Sequence, residues 1–533
     1  MSDFVIEANF VDIRNRNIFP AEIEVKDAKI YSIKQIDKTL SQYILPGFID
    51  AHVHIESSLL IPSEFARMAV LHGTVGTISD PHEIANVCGI DGVNFMITNG
   101  KKVPFHFCFG APSCVPATVF ETAGATLNAE DIDALLQRDD IYYLTEMMNF
   151  PGVLHQDSEV MAKLKSAQKY QKPIDGHAPG LRNEQAALYF SHGISTDHEC
   201  FTYEEALDKA QLGVKILIRE GSAARNFETL IPLMKDYPKQ IMFCSDDKHP
   251  DSLLEGHINS LVKRALQKGF DLFDILYAAC IHPVEHYSMP VGTLLLNDQA
   301  DFILVDDLTH FNIKQTYING KLVADAGHSL ITSIEENAIN QFNCEMVSES
   351  DFECELKNQN HVIECLDGEL ITHHLLLEEA DCHLENDVIY LAVINRYQKA
   401  FIRTTFIKGM GIKQGAIAGS VAHDSHNILV AGTNFTDMKN AVNLLVQNRG
   451  GLSLTCGDKQ EILPLPMAGL MSTNDAWRVA EKYTELDRLS KSLLGSTLRA
   501  PYMTLSFMAL LVIPHLKLSD LGLFDGERFE FVS

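Results

Sequence analysis

Between Tyr43 and Asp247 eight apolar, strand-like runs follow one another with helical stretches between them, and nearly every run ends in His, Asp, Glu or Ser. They are YILPGFIDAHVH, GTVGTISD, PFHFCFGAPS, YYLTEMM, KPIDGHAP, GISTDHEC, VKILIREG and QIMFCSDD. Eight such units within about two hundred residues favour an α/β fold of the (β/α)8 barrel type over an open, doubly wound sheet. In a barrel the C-terminal edges of the strands converge on one face, where an active site is built. The pattern therefore predicts which side chains meet as well as which fold forms.

The flanks read differently. Residues 1–45 alternate apolar and polar side chains, as Ala21, Ile23 and Val25 do against Glu22, Glu24 and Lys26, which is the period of a strand. Strand character returns over 290–345, in VGTLLLNDQADFILVDD and in FNIKQTYINGKLVADAG with its Asn319–Gly320 turn. The expected division is a composite β domain from 1–45 and 290–345, a barrel over 46–289, and a mixed α/β domain over 346–533. Helices are expected near Asp437–Gln447 and Asn474–Ser492 in the last of these.

Several function classes are excluded early. Lys and Arg number 43 against 71 Asp and Glu, a net charge of −28, so long-range electrostatics oppose nucleic acid and anionic membrane. The apolar run Phe507–Ile513 stops at Pro514, far short of the ~20 residues that span a bilayer. Eleven cysteines, without a CxxC pair, argue against a disulfide framework and thiolate zinc knuckles and fit a reducing cytoplasm.

The chemistry starts at His52-Val53-His54. On a strand, residues i and i+2 point to the same side, so both imidazoles reach one ion. HxH alone is a weak signal, but further ligand types stand at other strand ends: Glu146 on the fourth run, His177 on the fifth, His198 on the sixth and Asp246 on the eighth. Six N/O ligands without a thiolate hold two divalent ions if one carboxylate bridges them, and the donor set suits Mn, Fe or Zn. Independent core residues have no reason to gather at strand ends.

PGFIDAHVHIESS, SDPHEIANVCG, TEMMNFPGV, GHAPGL, DHEC, REGSAARN and SDDKHP together resemble the adenine deaminase family of the amidohydrolase superfamily. The likeness continues through VAHDSHNILVAGTN, LPLPMAGLMS and IPHLKLSDLGLFD, so it covers essentially the whole chain. The resemblance implies that His52 and His54 bind the more buried metal and that Glu146 bridges the two. His177 and His198 then bind the second metal, and Asp246 touches the first. It implies two divalent ions, manganese ahead of iron or zinc, a cytoplasmic homodimer, and adenine as substrate in purine salvage. Thr145 and Thr196 stand where the family has Gly and Ser, and neither departure removes a ligand.

Displacing an amine from a purine needs a strong nucleophile at neutral pH, which a metal-activated water supplies. Asp246 is the expected carrier of that water's proton, and Glu199, beside the ligand His198, the expected acid toward the ring nitrogen. On a strand, adjacent residues face opposite ways, so Glu199 reaches the substrate only if the chain leaves strand geometry after His198. Glu83 and Ser222, on loops of the same face, are candidates to line the substrate pocket, with a structural loop role equally open. The segment holding His423, Asp424 and His426 reads as a polar loop reaching over the barrel mouth or toward a second subunit. A cyclic-amide or N-acyl amidohydrolase on the same scaffold is the alternative function; against it stands Glu146, where ring amidohydrolases usually carry lysine.

Overall fold

The computed structural model describes residues 3–222 and 224–532. Strands β1 (Phe4–Asp12), β2 (Asn17–Lys26), β3 (Lys29–Gln35) and β4 (Tyr43–Pro46) come first. They share one eight-stranded sheet with β13 (Phe302–Val305), β14 (Ile313–Ile318), β15 (Lys321–Asp325) and β16 (His328–Ser329). β4 joins the two sets, pairing parallel with β1 and antiparallel with β13. Ala21, Ile23 and Val25, the apolar phase of β2, are buried against Ile44, Phe302 and Leu304. The stretch 291–299 expected as strand is turn instead: the Asp298 carboxylate accepts from the backbone N–H of Thr293 and Leu295 and pulls it into a loop.

Between these halves lie eight short strands: β5 (Phe48–Val53), β6 (Thr74–Ser79), β7 (His106–Phe109), β8 (Leu144–Met147), β9 (Ile174–Gly176), β10 (Thr196–Asp197), β11 (Lys215–Arg219) and β12 (Ile241–Cys244). One falls within each of the eight apolar runs. Pairing is parallel from β5 through β6 to β7, between β8 and β9, and from β10 through β11 to β12. A parallel bridge from Ala111 to Leu144 links the ends of β7 and β8, and one from Val53 to Asp246 links the last strand to the first. Ser195 N donates to Ile174 O at 2.9 Å between β9 and β10. Strands buried on both faces read as continuous apolar runs, which is why Ile241–Cys244 and Lys215–Arg219 lack alternation.

The remainder is built on a second eight-stranded sheet, from β17 (Gln359–Cys365) to β24 (Lys459–Pro464). Helix Phe435–Asn448 lays Met438, Ala441, Val442 and Leu445 on Ala416, Ala418, Ile428 and Val430 of that sheet. Its Asn434 cap accepts from Asp437 N, satisfying one orphan donor of the first turn. Helix Ala476–Ser492 ties this part to the parallel-strand body. Its cap, Asp475, sits 2.9 Å from the Arg67 guanidinium, and Ala476 N donates to the buried Glu64 carboxylate.

Candidate active site

The HxH pair lies where β5 ends, with both rings buried and their Nε2 atoms 3.2 Å apart. Asp246 Oδ1 lies 3.6 Å from His52 Nε2 and 3.3 Å from His54 Nε2, and Glu146 Oε1 lies 3.3 Å from His54 Nε2. The other Glu146 oxygen, Oε2, is 2.6 Å from His177 Nδ1 and 3.1 Å from His198 Nε2. One carboxylate thus faces two separate groups of donors. Ions bound through bonds near 2.1 Å have donor–donor edges of about 3.0–3.5 Å, and most of these separations fall in or beside that range. Buried His198 Nε2 has no hydrogen-bond partner among the described residues. The donor set fits a pair of divalent ions.

The electrostatics follow from burial and proximity. Burial pushes the Glu146 carboxyl up, but the imidazoles of His177 and His198 outweigh it and hold it well below the usual carboxylate range. For Asp246 burial again works upward, and Arg219, followed by His52 and His54, pulls the group well below its ordinary value. Asp246 adopts a left-handed backbone with φ of 55°, a conformation that Asp tolerates better than most residues.

Glu199 reaches the centre because β10 stops at Asp197. The Asp197 carboxylate accepts from Glu199 N at 2.8 Å, turning the chain so that consecutive side chains face inward. Glu199 Oε1 lies 3.5 Å from His198 Nε2 and 3.8 Å from His177 Nδ1. Sequence reasoning missed Arg219, buried at the end of β11. Its Nη1 binds Glu199 Oε1 and, at 2.6 Å, Asp246 Oδ2, while Nη2 binds Glu199 Oε2 at 3.0 Å. Its signal was its position, the last residue of an apolar strand run. Lys209 is a second omission. Fully buried, it donates to Ala178 O at 2.7 Å and to Asp197 Oδ2 at 3.1 Å, fixing the turns that carry His177 and His198.

Glu83 also lies at the centre's edge, but both its oxygens are taken, one by His423 Nδ1 at 2.5 Å and the other by His426 Nε2. The loop holding those histidines therefore reaches over the end of the parallel strands. Ser222 is elsewhere: its Oγ donates to Ser252 Oγ at 3.1 Å and accepts from His249 N at 2.9 Å, and it does not line the central cavity. That cavity, about 30 Å³, is roofed by Leu370, His423, Asp424, Phe507, Leu510 and Val512 from the C-terminal part. An outer vestibule of about 800 Å³ adjoins it, sharing Met148, His177 and Val512 as lining residues. The vestibule has the size of a small-molecule site, whereas the inner cavity is on the scale of a water or two.

Known proteins carry the same arrangement of sequence. Residues 43–323 match the amidohydrolase family, and residues 369–530 match the adenine deaminase C-terminal domain. The chain is similar to an adenine deaminase from Borreliella burgdorferi, at 53% identity with 100% of each chain covered. It is similar at 52% to one from Sulfurovum sp., with 99% of each covered, and at 50% to one from Methanosarcina barkeri, with 98% of each covered.

Proposed function

From the premise that this chain belongs to the adenine deaminase family of amidohydrolases, we propose how its residues convert adenine and water into hypoxanthine and ammonia. It is an enzyme, and hydrolytic deamination of adenine is its reaction. The observation that carries the reading is the convergence of His54, His177 and His198, from three strand ends, on the two oxygens of Glu146.

His52, His54 and Asp246 would hold one divalent ion and His177 and His198 the other, with Glu146 shared between them. When bound, the pair supplies the Lewis acidity that makes a water nucleophilic near neutral pH. Water brings two protons: the product keeps one on its ring nitrogen, and the other leaves with ammonia. We assign the second to Asp246, which takes it from the attacking water and returns it to the departing amine. Glu199 protonates the ring nitrogen beside the attacked carbon and is reloaded as the hydroxyl proton departs. Arg219, bound to both carboxylates, fixes the distance between the two proton carriers.

The same reading extends to the scaffold and setting. Parallel pairing around β5–β12 supports a closed (β/α)8 barrel over 46–289. The shared first sheet supports a composite β domain from 1–45 and 290–345, with a separate domain over 346–533. A nitrogen and oxygen donor set free of thiolate supports a divalent ion such as Mn, Fe or Zn; placing manganese first rests on the family resemblance. Eleven free cysteines support a cytoplasmic setting. A homodimer and a role in purine salvage rest on the family resemblance.

The test is metal analysis of purified protein beside ammonia release from adenine, guanine, cytosine, adenosine and hydantoin. Adenine turnover with two bound metals is expected. Hydantoin opening without ammonia release from adenine would favour the cyclic-amide reading instead.

A further inference from the structure

The C-terminal wall of the inner cavity contains one carboxylate oxygen that the protein leaves unused. Asp424 is 3% exposed and lines the cavity. Its Oδ2 is buried without a hydrogen-bond partner among the described residues, and its Oδ1 lies 3.9 Å from His82 Nε2. Leaving such an acceptor unpaired costs the desolvation of a charged group, so native structures supply a donor.

The loop around Asp424 is built to hold it still. The flanking histidines, His423 and His426, both bind Glu83. Ala422 N donates to His426 Nδ1 at 3.2 Å, which leaves the hydrogen on Nε2 to serve Glu83. His423 N donates to Ser506 O at 3.1 Å, and its ring stacks on Phe507 with centroids 4.9 Å apart. Each Glu83 oxygen is engaged by a histidine, whereas Asp424 Oδ2 has no partner among the described residues.

The inference rests on adenine as substrate. Adenine is larger than the inner cavity, so it enters with the apolar Leu510 and Val512 giving way. Its amine-bearing carbon must then face the metal ligands and the adjacent ring nitrogen Glu199, which turns the five-membered ring away from them. That ring carries the free base's remaining donor, the N9–H. We propose that Asp424 accepts from the N9–H of the purine and so selects the free base against N9-substituted purines, which have no hydrogen there. An acceptor left unpaired by the wrong ligand is the strongest form of discrimination a small site has.

Two analogues isolate that hydrogen: 7-deazaadenine keeps it, and the furan counterpart of 7-deazaadenine carries oxygen in its place. Their affinities are measured by calorimetry on metal-loaded protein, for the native chain and for Asp424→Ala and Asp424→Asn. The native protein is expected to prefer 7-deazaadenine by roughly ten- to a hundred-fold, the range for a hydrogen bond to a charged acceptor. In Asp424→Ala the preference should fall toward unity with metal content unchanged. Asp424→Asn, which keeps a neutral carbonyl acceptor, should retain a smaller part of it. For adenine itself KM should rise in both variants by more than kcat falls. An equal preference in Asp424→Ala and native protein overturns the assignment. So does a native protein that prefers neither compound or binds neither. Native protein that releases no ammonia from adenine would break the functional reading itself, a separate outcome from equal affinities with turnover intact.

Discussion

The central cavity has two walls made from distant parts of the chain, and they are built on different physical plans. The wall from the parallel strands is polar and charged: the ligand residues His54, Glu146, His177, His198 and Asp246 line it from the ends of five strands, with the Arg219 contacts to Glu199 and Asp246 beside them. The wall from the C-terminal part is mostly apolar, Leu370, Phe507, Leu510 and Val512, with a single clamped polar loop. Short strands buried on both faces fix side chains closely, which suits groups that must meet an ion or pass a proton. Apolar segments exclude water and can yield to a ligand, which suits a cover. The comparison teaches that chemistry and access are divided between the two walls, and it makes distinct demands on mutants.

The largest effect is expected on the strand wall. His52→Ala or His177→Ala should lose metal and nearly all activity with the fold intact, read by metal analysis, turnover and circular dichroism together. Full metal content with retained activity in either variant would remove the binuclear assignment. Asp246→Asn comes next, since it disturbs a ligand and a proton carrier at once. Its turnover should fall at least as far as that of Glu199→Gln. In Glu199→Gln both ions should stay and adenine should still bind, while kcat drops by about 10²–10⁴, the usual contribution of a general acid or base. A near-parental rate there would make Glu199 a bystander.

Arg219→Lys sharpens the comparison within the strand wall. An ammonium cannot fork onto two carboxylates as a guanidinium does, so kcat should fall by roughly ten- to a hundred-fold with metal retained. The pH–rate profile should shift as well, which a purely structural loss would not produce. The smallest effect belongs to the C-terminal wall. Burial pushes His423 down, but Glu83 and then Asp247 outweigh it and leave it at about 9. A folded value raised above the unfolded one stabilises fully below the unfolded pKa, near 6.5, and that stability is lost as pH rises through about 9. Amide exchange over 421–427, corrected for its intrinsic rate, should therefore speed up past about pH 9 relative to the strand wall. His423→Gln should flatten that dependence.

Sequence alone made the strand wall readable because its information is local. An apolar run predicts a strand, and the residue after it lies at the strand's end, so His52, His54, Glu146, His177, His198 and Asp246 can be grouped from the sequence. Glu199 was readable only conditionally, since its direction depends on the Asp197 turn, a single side-chain hydrogen bond. Arg219 escaped because its partners, 20 and 27 residues distant, are chosen by strand order rather than by spacing. The C-terminal wall was less legible still. Glu83 meets His423 and His426 across 340 and 343 residues, and no periodicity encodes such a meeting. Ser222 shares its loop region with good candidates, yet its hydroxyl is committed to Ser252 and His249 N, a local arrangement that position on the loop did not reveal.

That the cover comes from a later part of the chain has a consequence for synthesis on the ribosome. Every residue proposed to hold metal has been made once Asp246 has emerged, whereas Asp424 follows 178 residues later and Val512 later again. At about 5–20 residues per second the first interval lasts on the order of ten seconds to half a minute. During it the nascent chain holds the proposed ligand residues without Asp424, Phe507, Leu510 and Val512, so the cover cannot yet close over them. The residues of the cover are thus the last of the site to be made.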